Sequence, residues 1–318
     1  MKRFKDFLVH NSITFEENIS LASKTWLKTG GVVKMFICPC SIMQLKDLLV
    51  YCKSEKIDYE IIGYTTNIYY VDTYNPNIII STTKIRKFHD FPDYIYCECG
   101  VPVSQISVYS VEKGYIGYSG LVNLPGTVGA AICNNSSCFD CSISEHLLEV
   151  DFFNLRNGKF EKLQPSKLGY SHRNSNIKNG YLQGVVLSVK LSKKQGDISI
   201  ERTKSEKARQ VRRKTQETAA FTLGSIFVGL KERRCIKNQI VRIGGGVLRR
   251  LHFFSDNNIK LRLAIFGYID LFPFVSSKTI NTFKWLKDRS DKHEKFVRYT
   301  EFIKKAYESP ILEIEVRQ

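Results

Sequence analysis

The chain has 318 residues with 43 % hydrophobic and 25 % charged side chains, a composition typical of a globular protein with two domains of ordinary size. Its formal net charge of +17 favours anionic partners, such as a nucleotide diphosphate or a nucleic acid, unless the surplus is only a solvated face. No apolar run is long enough to span a membrane, and no signal core follows the charged N-terminus, so we expect a cytoplasmic protein without a membrane partner.

Short strands and single helices alternate through the first 200 residues. Ser41 and Ser104 are predicted helix N-caps, Gly114 is a predicted helix end, and Asn157-Gly158 predicts the turn of a hairpin. Hydrophobic patterning predicts strands over residues 35–38, 59–62, 77–81, 94–97, 147–155, 159–163 and 185–191. This alternation indicates mixed α and β structure.

The composition of the sequence changes near residue 200. Residues 201–250 carry fourteen Lys or Arg against four Glu and no Asp. We place a domain boundary there, with a first domain over residues 1–200 and a second over residues 201–318. Helices are predicted over residues 201–216, 281–287 and 296–307, and a final strand over 311–316. No zinc finger, RNP-type strand or helix-turn-helix accompanies the charge, so we expect no nucleic-acid partner.

Nine cysteines are scattered along the chain, and an odd number without a secretory signal favours reduced thiols. Only Cys138 and Cys141 have a spacing suited to structural zinc, and no second pair lies nearby in the sequence. We therefore predict no metal site.

Two glycine-containing segments are candidates for binding a phosphate or a flat ligand. The first follows a predicted strand and consists of Gly63, Tyr64, Thr65, Thr66 and Asn67. A glycine among small polar residues lets backbone N–H groups face an anion, although a plain turn has the same composition.

The second segment lies within residues 120–131 and contains Pro125, Gly126, Thr127, Val128 and Gly129. Small residues around a proline let a ligand approach the main chain there.

Six ordered motifs together resemble the UDP-N-acetylenolpyruvoylglucosamine reductases, a family of flavoenzymes. Pro-Gly-Thr-Val-Gly-Ala-Ala at residues 125–131 is similar to the family's flavin-contacting signature. Residues 63–67 resemble its Gly-x-Gly-Ser-Asn phosphate loop, with Thr65 in place of the second glycine. The remaining similarities are residues 25–31 to the opening Gly-Gly segment, 170–175 to Tyr-Arg-x-Ser, 224–227 to Gly-Ser-x-Phe and 312–316 to Leu-Glu-x-Glu-Val.

The resemblance implies an α+β protein: a two-subdomain FAD-binding fold of the vanillyl-alcohol-oxidase type, followed by a C-terminal α/β substrate domain. It implies that the two glycine-containing segments hold FAD, and that NADPH is the reductant. The implied reaction converts UDP-N-acetylglucosamine enolpyruvate, a nucleotide sugar, to UDP-N-acetylmuramate in the peptidoglycan synthesis of cell-wall biogenesis. In that reaction Ser225 would supply a proton, Arg173 would bind the substrate carboxylate, and Glu315 would assist at the same centre.

The second half of the chain departs from the family pattern. Gly-Ser-x-Phe is followed by Val228, Gly229 and Leu230 instead of Lys-Asn-Pro, and residues 250–300 show no family motif. Two alternatives therefore stay open. One is a FAD-linked oxidoreductase acting on another nucleotide sugar, and the other is a non-catalytic protein that binds an anionic polymer.

Overall fold

The computed structural model describes residues 1–217, 221–250, 256–287 and 289–318. In these ranges the α-helices are α1 (Lys2–His10), α2 (Ile42–Ser54), α3 (Val103–Lys113), α4 (Val128–Asn134), α5 (Ile198–Thr215), α6 (Ile236–Arg250), α7 (Asp256–Phe266) and α8 (Lys292–Ala306). The strands are β1 (Thr14–Ser20), β2 (Val32–Cys38), β3 (Glu60–Ile62), β4 (Ile68–Tyr70), β5 (Ile78–Ser81), β6 (Phe88–Asp90), β7 (Tyr94–Glu98), β8 (Ser137–Cys138), β9 (Cys141–Ser142), β10 (Leu147–Asn154), β11 (Lys159–Leu163), β12 (Gly184–Ser192), β13 (Phe227–Val228), β14 (Lys231–Glu232), β15 (Tyr307–Glu308), β16 (Ile311–Leu312) and β17 (Glu315–Arg317). None of the helices in this described part of the chain combines the length and the apolar character needed to cross a bilayer.

The chain divides into two compact units. The first consists of Met1–Ser23, Gly31–Thr66 and Asn75–Arg209, and the second of Lys24–Gly30, Asn67–Tyr74 and Gln210–Gln318. The second unit thus takes two short segments from the part of the chain before residue 200. The functional division predicted at that residue stays a prediction.

Two sheets form the framework of the first unit. The four-stranded sheet has the order β1-β2-β5-β3, in which β2, β5 and β3 are parallel and β1 is an antiparallel edge strand. The five-stranded sheet, with the order β11-β10-β12-β7-β6, is antiparallel throughout. This second sheet is buried on both faces. Side chains alternate between the faces of a strand, so neighbouring residues pack on opposite sides of the sheet. Phe152 and Val186 pack with α3 and α4, whereas Phe153 and Val185 pack with α2 and the four-stranded sheet.

Short sequence signals define the helix ends of the first unit. The hydroxyl of Ser41 accepts a hydrogen bond from the backbone N–H of Gln44 (3.2 Å) at the start of α2, as predicted. Helix α3 ends at Gly114, whose φ of 74° is the left-handed conformation expected of a C-cap glycine. The cap predicted at Ser104 is wrong: α3 begins at Val103 after Pro102, because the fixed φ of proline prepares the chain for the first helical turn.

An aromatic cluster forms the core of the second unit. Helix α8 contributes Phe296 and Tyr299, and both side chains are buried. The Phe283 ring lies 4.9 Å from the Trp285 ring and 5.4 Å from that of Phe296, measured between centroids. These rings, together with Phe274 and Phe302, give the second unit an aromatic core. The core around the sheets of the first unit is mainly aliphatic.

The helix predicted over residues 281–287 is wrong. Phe283 and Trp285 are both buried and Lys284 lies between them, which is the two-residue alternation of an extended chain. The backbone confirms this, since Phe283 forms a bridge with Val275 and Lys284 N donates to Phe274 O (2.7 Å). Burial of two large aromatic side chains outweighs the helix propensity of the segment.

Short strand pairs complete the second unit. β4 runs parallel to β17, and β13 runs antiparallel to β16. The single strand predicted over residues 311–316 is interrupted, because Glu313 N turns away to donate to Ile226 O (2.8 Å) between β16 and β17.

We predict that Phe283→Ala lowers the free energy of unfolding of the second unit by about 3–5 kcal/mol, since it leaves a cavity in the aromatic core. Urea unfolding followed by tryptophan fluorescence measures this unit alone, because both tryptophans of the chain, Trp26 and Trp285, belong to it. Ile236→Ala, at a residue of the same unit that is 74 % exposed, is the control and should change stability by less than about 0.5 kcal/mol. Equal midpoints for Phe283→Ala and the parent protein would contradict the assignment of this core.

Candidate cofactor and active site

Two loops of the first unit meet at the carboxyl end of strand β3. Gly63 directly follows β3, and a Cβ atom built on it would lie 2.4 Å from Thr127 Oγ1. A Cβ atom built on Gly126 would lie 3.4 Å from Thr66 Oγ1. The two predicted glycine-containing segments are therefore neighbours, and only a glycine fits at Gly63. The carboxyl end of a parallel strand is also where open α/β sheets bind their ligands.

Backbone donors at this junction are available to a ligand. Within the described ranges, the N–H groups of Gly63, Tyr64, Thr66 and Gly126 donate to no protein acceptor. Unpaired N–H groups in a glycine turn form an anion-binding nest for phosphate oxygens. The donor set therefore fits the diphosphate of FAD.

Thr65 keeps a glycine-like backbone. Its φ is 56°, in the left-handed region that a β-branched residue rarely adopts, and its side chain is buried. The family motif has glycine at this position, so the structure retains the turn although the residue has changed. Such a conformation costs energy and persists only where the surrounding structure holds it.

The second segment is tied to the five-stranded sheet. Val128 N donates to Val101 O and Gly129 N to Cys99 O, both at 2.8 Å. These two N–H groups are therefore satisfied by the protein, so a cofactor contact at Val128 or Gly129 would use other atoms. Thr127 Oγ1 accepts from Ala130 N (3.4 Å) and caps α4. Pro125, which has no N–H, is exposed at the tip of the loop.

Arg173 lies in a tight turn of the first unit and is half-buried. Its φ is 56°, and reciprocal backbone hydrogen bonds between Ser171 and Asn174 (3.2 and 3.1 Å) close the turn. Asn135 Nδ2 donates to Ser171 O (2.8 Å) and so fastens this turn to the end of α4. Strained non-glycine residues held in this way are frequent at functional sites.

Ser225 and Glu315 both belong to the second unit. Ser225 is exposed just before β13, and Glu315 is the half-buried first residue of β17. The hydrogen bond from Glu313 N to Ile226 O joins the two segments that carry them. Glu315 also accepts a hydrogen bond from Arg317 (2.8 Å).

Asn67, the last residue of the predicted phosphate loop, lies in the second unit. Its Nδ2 donates to Glu313 O (3.3 Å), and its carbonyl accepts from Glu315 N (2.9 Å). Asn67 therefore holds the strand on which Glu315 lies. Its predicted role in binding the cofactor stays a prediction.

Two further residues near these sites have no signal in the sequence. Burial lowers the pKa of His146, and its Nε2–H donates to Gly117 O (2.9 Å), eight residues before Pro125. The same ring stacks on Tyr118, with 4.0 Å between centroids. Asn281 accepts a hydrogen bond from Phe227 N (2.9 Å), two residues after Ser225, although it was predicted to lie in a helix.

Comparison with known proteins places these features in a family. The sequence profile of the FAD binding domain matches residues 33–164. UDP-N-acetylenolpyruvoylglucosamine reductase of Caldicellulosiruptor bescii is 30 % identical over 231 residues, which cover 70 % of this chain and 71 % of that protein. The enzyme of the same name from Prochlorococcus marinus is 26 % identical over 282 residues, which cover 85 % and 93 %. The crystal structure of UDP-N-acetylenolpyruvylglucosamine reductase from Thermus caldophilus has a TM-score of 0.68, with 17 % identity, over 96 % of this chain and 99 % of that chain.

The matched domain and these relatives define a flavin oxidoreductase that uses FAD. Its α+β architecture, an FAD-binding fold of the vanillyl-alcohol-oxidase type, is confirmed. The chain belongs to the UDP-N-acetylenolpyruvoylglucosamine reductase family.

We predict that Gly63→Ala raises the Kd of FAD by about tenfold or more, because the added methyl group overlaps Thr127 and overpacking costs about 1–3 kcal/mol. The measurement is the quenching of flavin fluorescence when FAD rebinds to the apoprotein. Gly246→Ala is the matched control, since a Cβ atom there meets nothing within 4 Å. An unchanged Kd in Gly63→Ala would remove this loop from the cofactor site.

Proposed function

We propose that this chain is a cytoplasmic enzyme that reduces UDP-N-acetylglucosamine enolpyruvate to UDP-N-acetylmuramate, a peptidoglycan precursor, with NADPH as the reductant. The observation that carries the proposal is the pair of touching glycine loops with unpaired backbone donors, in a chain of the reductase family. FAD, when bound, supplies the hydride transfer. The residues of this chain bind and orient the substrate and move its proton.

Ser225 is the proposed proton donor to the substrate carbon beside the one that receives the hydride. Within the described residues its hydroxyl makes no hydrogen bond, and the residue is exposed, so the group is available to a ligand. A serine hydroxyl is a weak acid. It therefore acts only when it is held close to the carbon that develops negative charge.

Arg173 and Glu315 are the proposed partners of the substrate's carboxylate and of the enolate that forms from it. A guanidinium, such as that of Arg173, matches a carboxylate with two parallel N–H donors. Positive charge at that place stabilises the charge that develops on the enolate oxygens. Glu315 offers a carboxylate as a hydrogen-bond acceptor for the substrate.

We predict that Ser225→Ala leaves reduction of the flavin by NADPH unchanged and slows its reoxidation by the enolpyruvyl nucleotide sugar by about 10²-fold or more. Anaerobic stopped-flow absorbance of the flavin measures the two half-reactions separately. Ser277→Ala, at an exposed serine of the same unit, should alter neither rate. Reoxidation at the parental rate in Ser225→Ala would exclude this hydroxyl from the mechanism.

One observation favours a different nucleotide sugar as the substrate. Val228, Gly229 and Leu230 are uncharged where the family has Lys-Asn-Pro, and Leu230 packs against the aromatic core. A site that lacks this lysine suits a nucleotide sugar with a different anionic group. Steady-state turnover of the enolpyruvyl sugar, compared with oxidation of saturated nucleotide sugars by oxygen, distinguishes the two reactions.

A further inference from the structure

The backbone on both sides of Ser225 is held by two consecutive residues of the loop that follows Val275. Thr282 is 2 % exposed, and its Oγ1 donates to the carbonyl of Gly224 (2.9 Å). That carbonyl belongs to the peptide group that directly precedes Ser225. Gly224 itself has a φ of 75°, and a Cβ atom built on it would meet nothing within 4 Å, so packing does not fix this residue.

Asn281 holds the other side of Ser225. Its Oδ1 accepts from Phe227 N (2.9 Å) and its Nδ2 donates to Phe227 O (2.7 Å), so the side-chain amide pairs with this residue as a neighbouring strand would. Its backbone carbonyl accepts from Ile226 N (2.9 Å). Tyr299, buried in the aromatic core, donates to Ile280 O (2.9 Å) and anchors the segment that carries both residues.

These bonds leave the Ser225 side chain exposed while they fix the peptide groups around it. Gly224 O is held before it, and Ile226 N, Phe227 N and Phe227 O are held after it. Glu313 N adds a bond to Ile226 O from the segment that leads to Glu315. A glycine with a left-handed φ is the flexible point of this arrangement, and the Thr282 hydroxyl is the group that restrains it.

We propose that Thr282 and Asn281 are positioning residues for the Ser225 hydroxyl: they hold the Gly224 and Phe227 peptide groups so that Oγ stays within reach of the substrate carbon. This inference rests on the proposed function of Ser225 as proton donor. Neither residue touches the reacting atoms in this scheme. A weak acid tolerates little displacement, because an error of about 1 Å in the position of a reacting group can cost 10²-fold in rate.

The test compares Thr282→Val, which keeps the shape of the side chain and removes the donor, with Thr282→Ser, which keeps the donor. In the holoenzyme, Thr282→Val should slow reoxidation of the flavin by the enolpyruvyl nucleotide sugar by at least about tenfold. Thr282→Ser should restore most of the parental rate. Reduction by NADPH, the FAD content and the fluorescence-detected unfolding midpoint should stay within error of the parent for both variants.

A double mutant separates positioning from a general structural effect. If Thr282 acts through Ser225, then Thr282→Val should cause no further loss of reoxidation rate in the Ser225→Ala background. An equal loss in both backgrounds would overturn the inference, and so would a parental rate in Thr282→Val. If Ser225→Ala alone has no effect, the proposed function fails and the inference fails with it, which is a result distinct from a failure at Thr282 only.

A second variant covers the case in which Thr282→Val does not fold. Asn281→Asp retains the shape and the acceptor for Phe227 N, but it places an acceptor opposite Phe227 O. It should slow reoxidation in the Ser225 enzyme and not in Ser225→Ala. A parental rate in Asn281→Asp, or a slower NADPH half-reaction of equal size, would overturn the inference.

Discussion

At the end of strand β3 the main chain passes so close to Thr127 that a single methyl group on Gly63 would overlap the threonine hydroxyl. Thr127 also caps α4, and the next two residues bond to the backbone beside the five-stranded sheet. The contact therefore links the carboxyl edge of one sheet to the helix that covers the other. Among the described residues the N–H groups of Gly63, Tyr64, Thr66 and Gly126 remain available beside this contact, and such donors can bind a diphosphate without a charged residue.

Local backbone requirements made this part of the molecule predictable from the sequence. Gly63, Gly126 and Gly114 occupy positions where a close approach or a positive φ demands glycine, and such demands leave a mark in a single sequence. Apolar patterning likewise indicated most strands of both sheets but missed the edge strands β1 and β6, and the hairpin predicted at Asn157-Gly158 forms between β10 and β11. Thr65 shows the limit of this reasoning, since its left-handed turn is kept without a glycine.

Long-range pairing explains what the sequence did not reveal. Asn281 bonds to Phe227 across 54 residues and Thr282 to Gly224 across 58, so no local pattern announces either contact. The same segment was predicted to be helical, because its apolar spacing is short and ambiguous. The extended form is stabilised by burial of Phe283 and Trp285 in the aromatic core, to which the distant helix α8 also contributes.

The basic surplus of residues 201–250 is used in part inside the protein. Burial raises the pKa of Glu232, but hydrogen bonds and charge from Arg262 and Arg242 outweigh it and hold the pKa below its usual value. Arg233 donates to the carbonyls of Lys304 and Tyr307 at the end of α8, where a cation complements the helix dipole. Arg233 and Arg242 therefore have structural partners within the second unit.

The change from Lys-Asn-Pro to Val228, Gly229 and Leu230 alters the side chains that follow Ser225, but the bonds that hold the backbone there do not depend on those side chains. Backbone atoms of Phe227 and Val228 bond to Asn281 and to strand β16, and such bonds are indifferent to side-chain identity. The hydroxyl is therefore presented by hydrogen bonds that survive substitution, whereas the lost lysine would have acted through its own charge. On the proposed role of Ser225 as proton donor, such a chain can exchange the neighbouring side chains and keep the backbone around the hydroxyl in place.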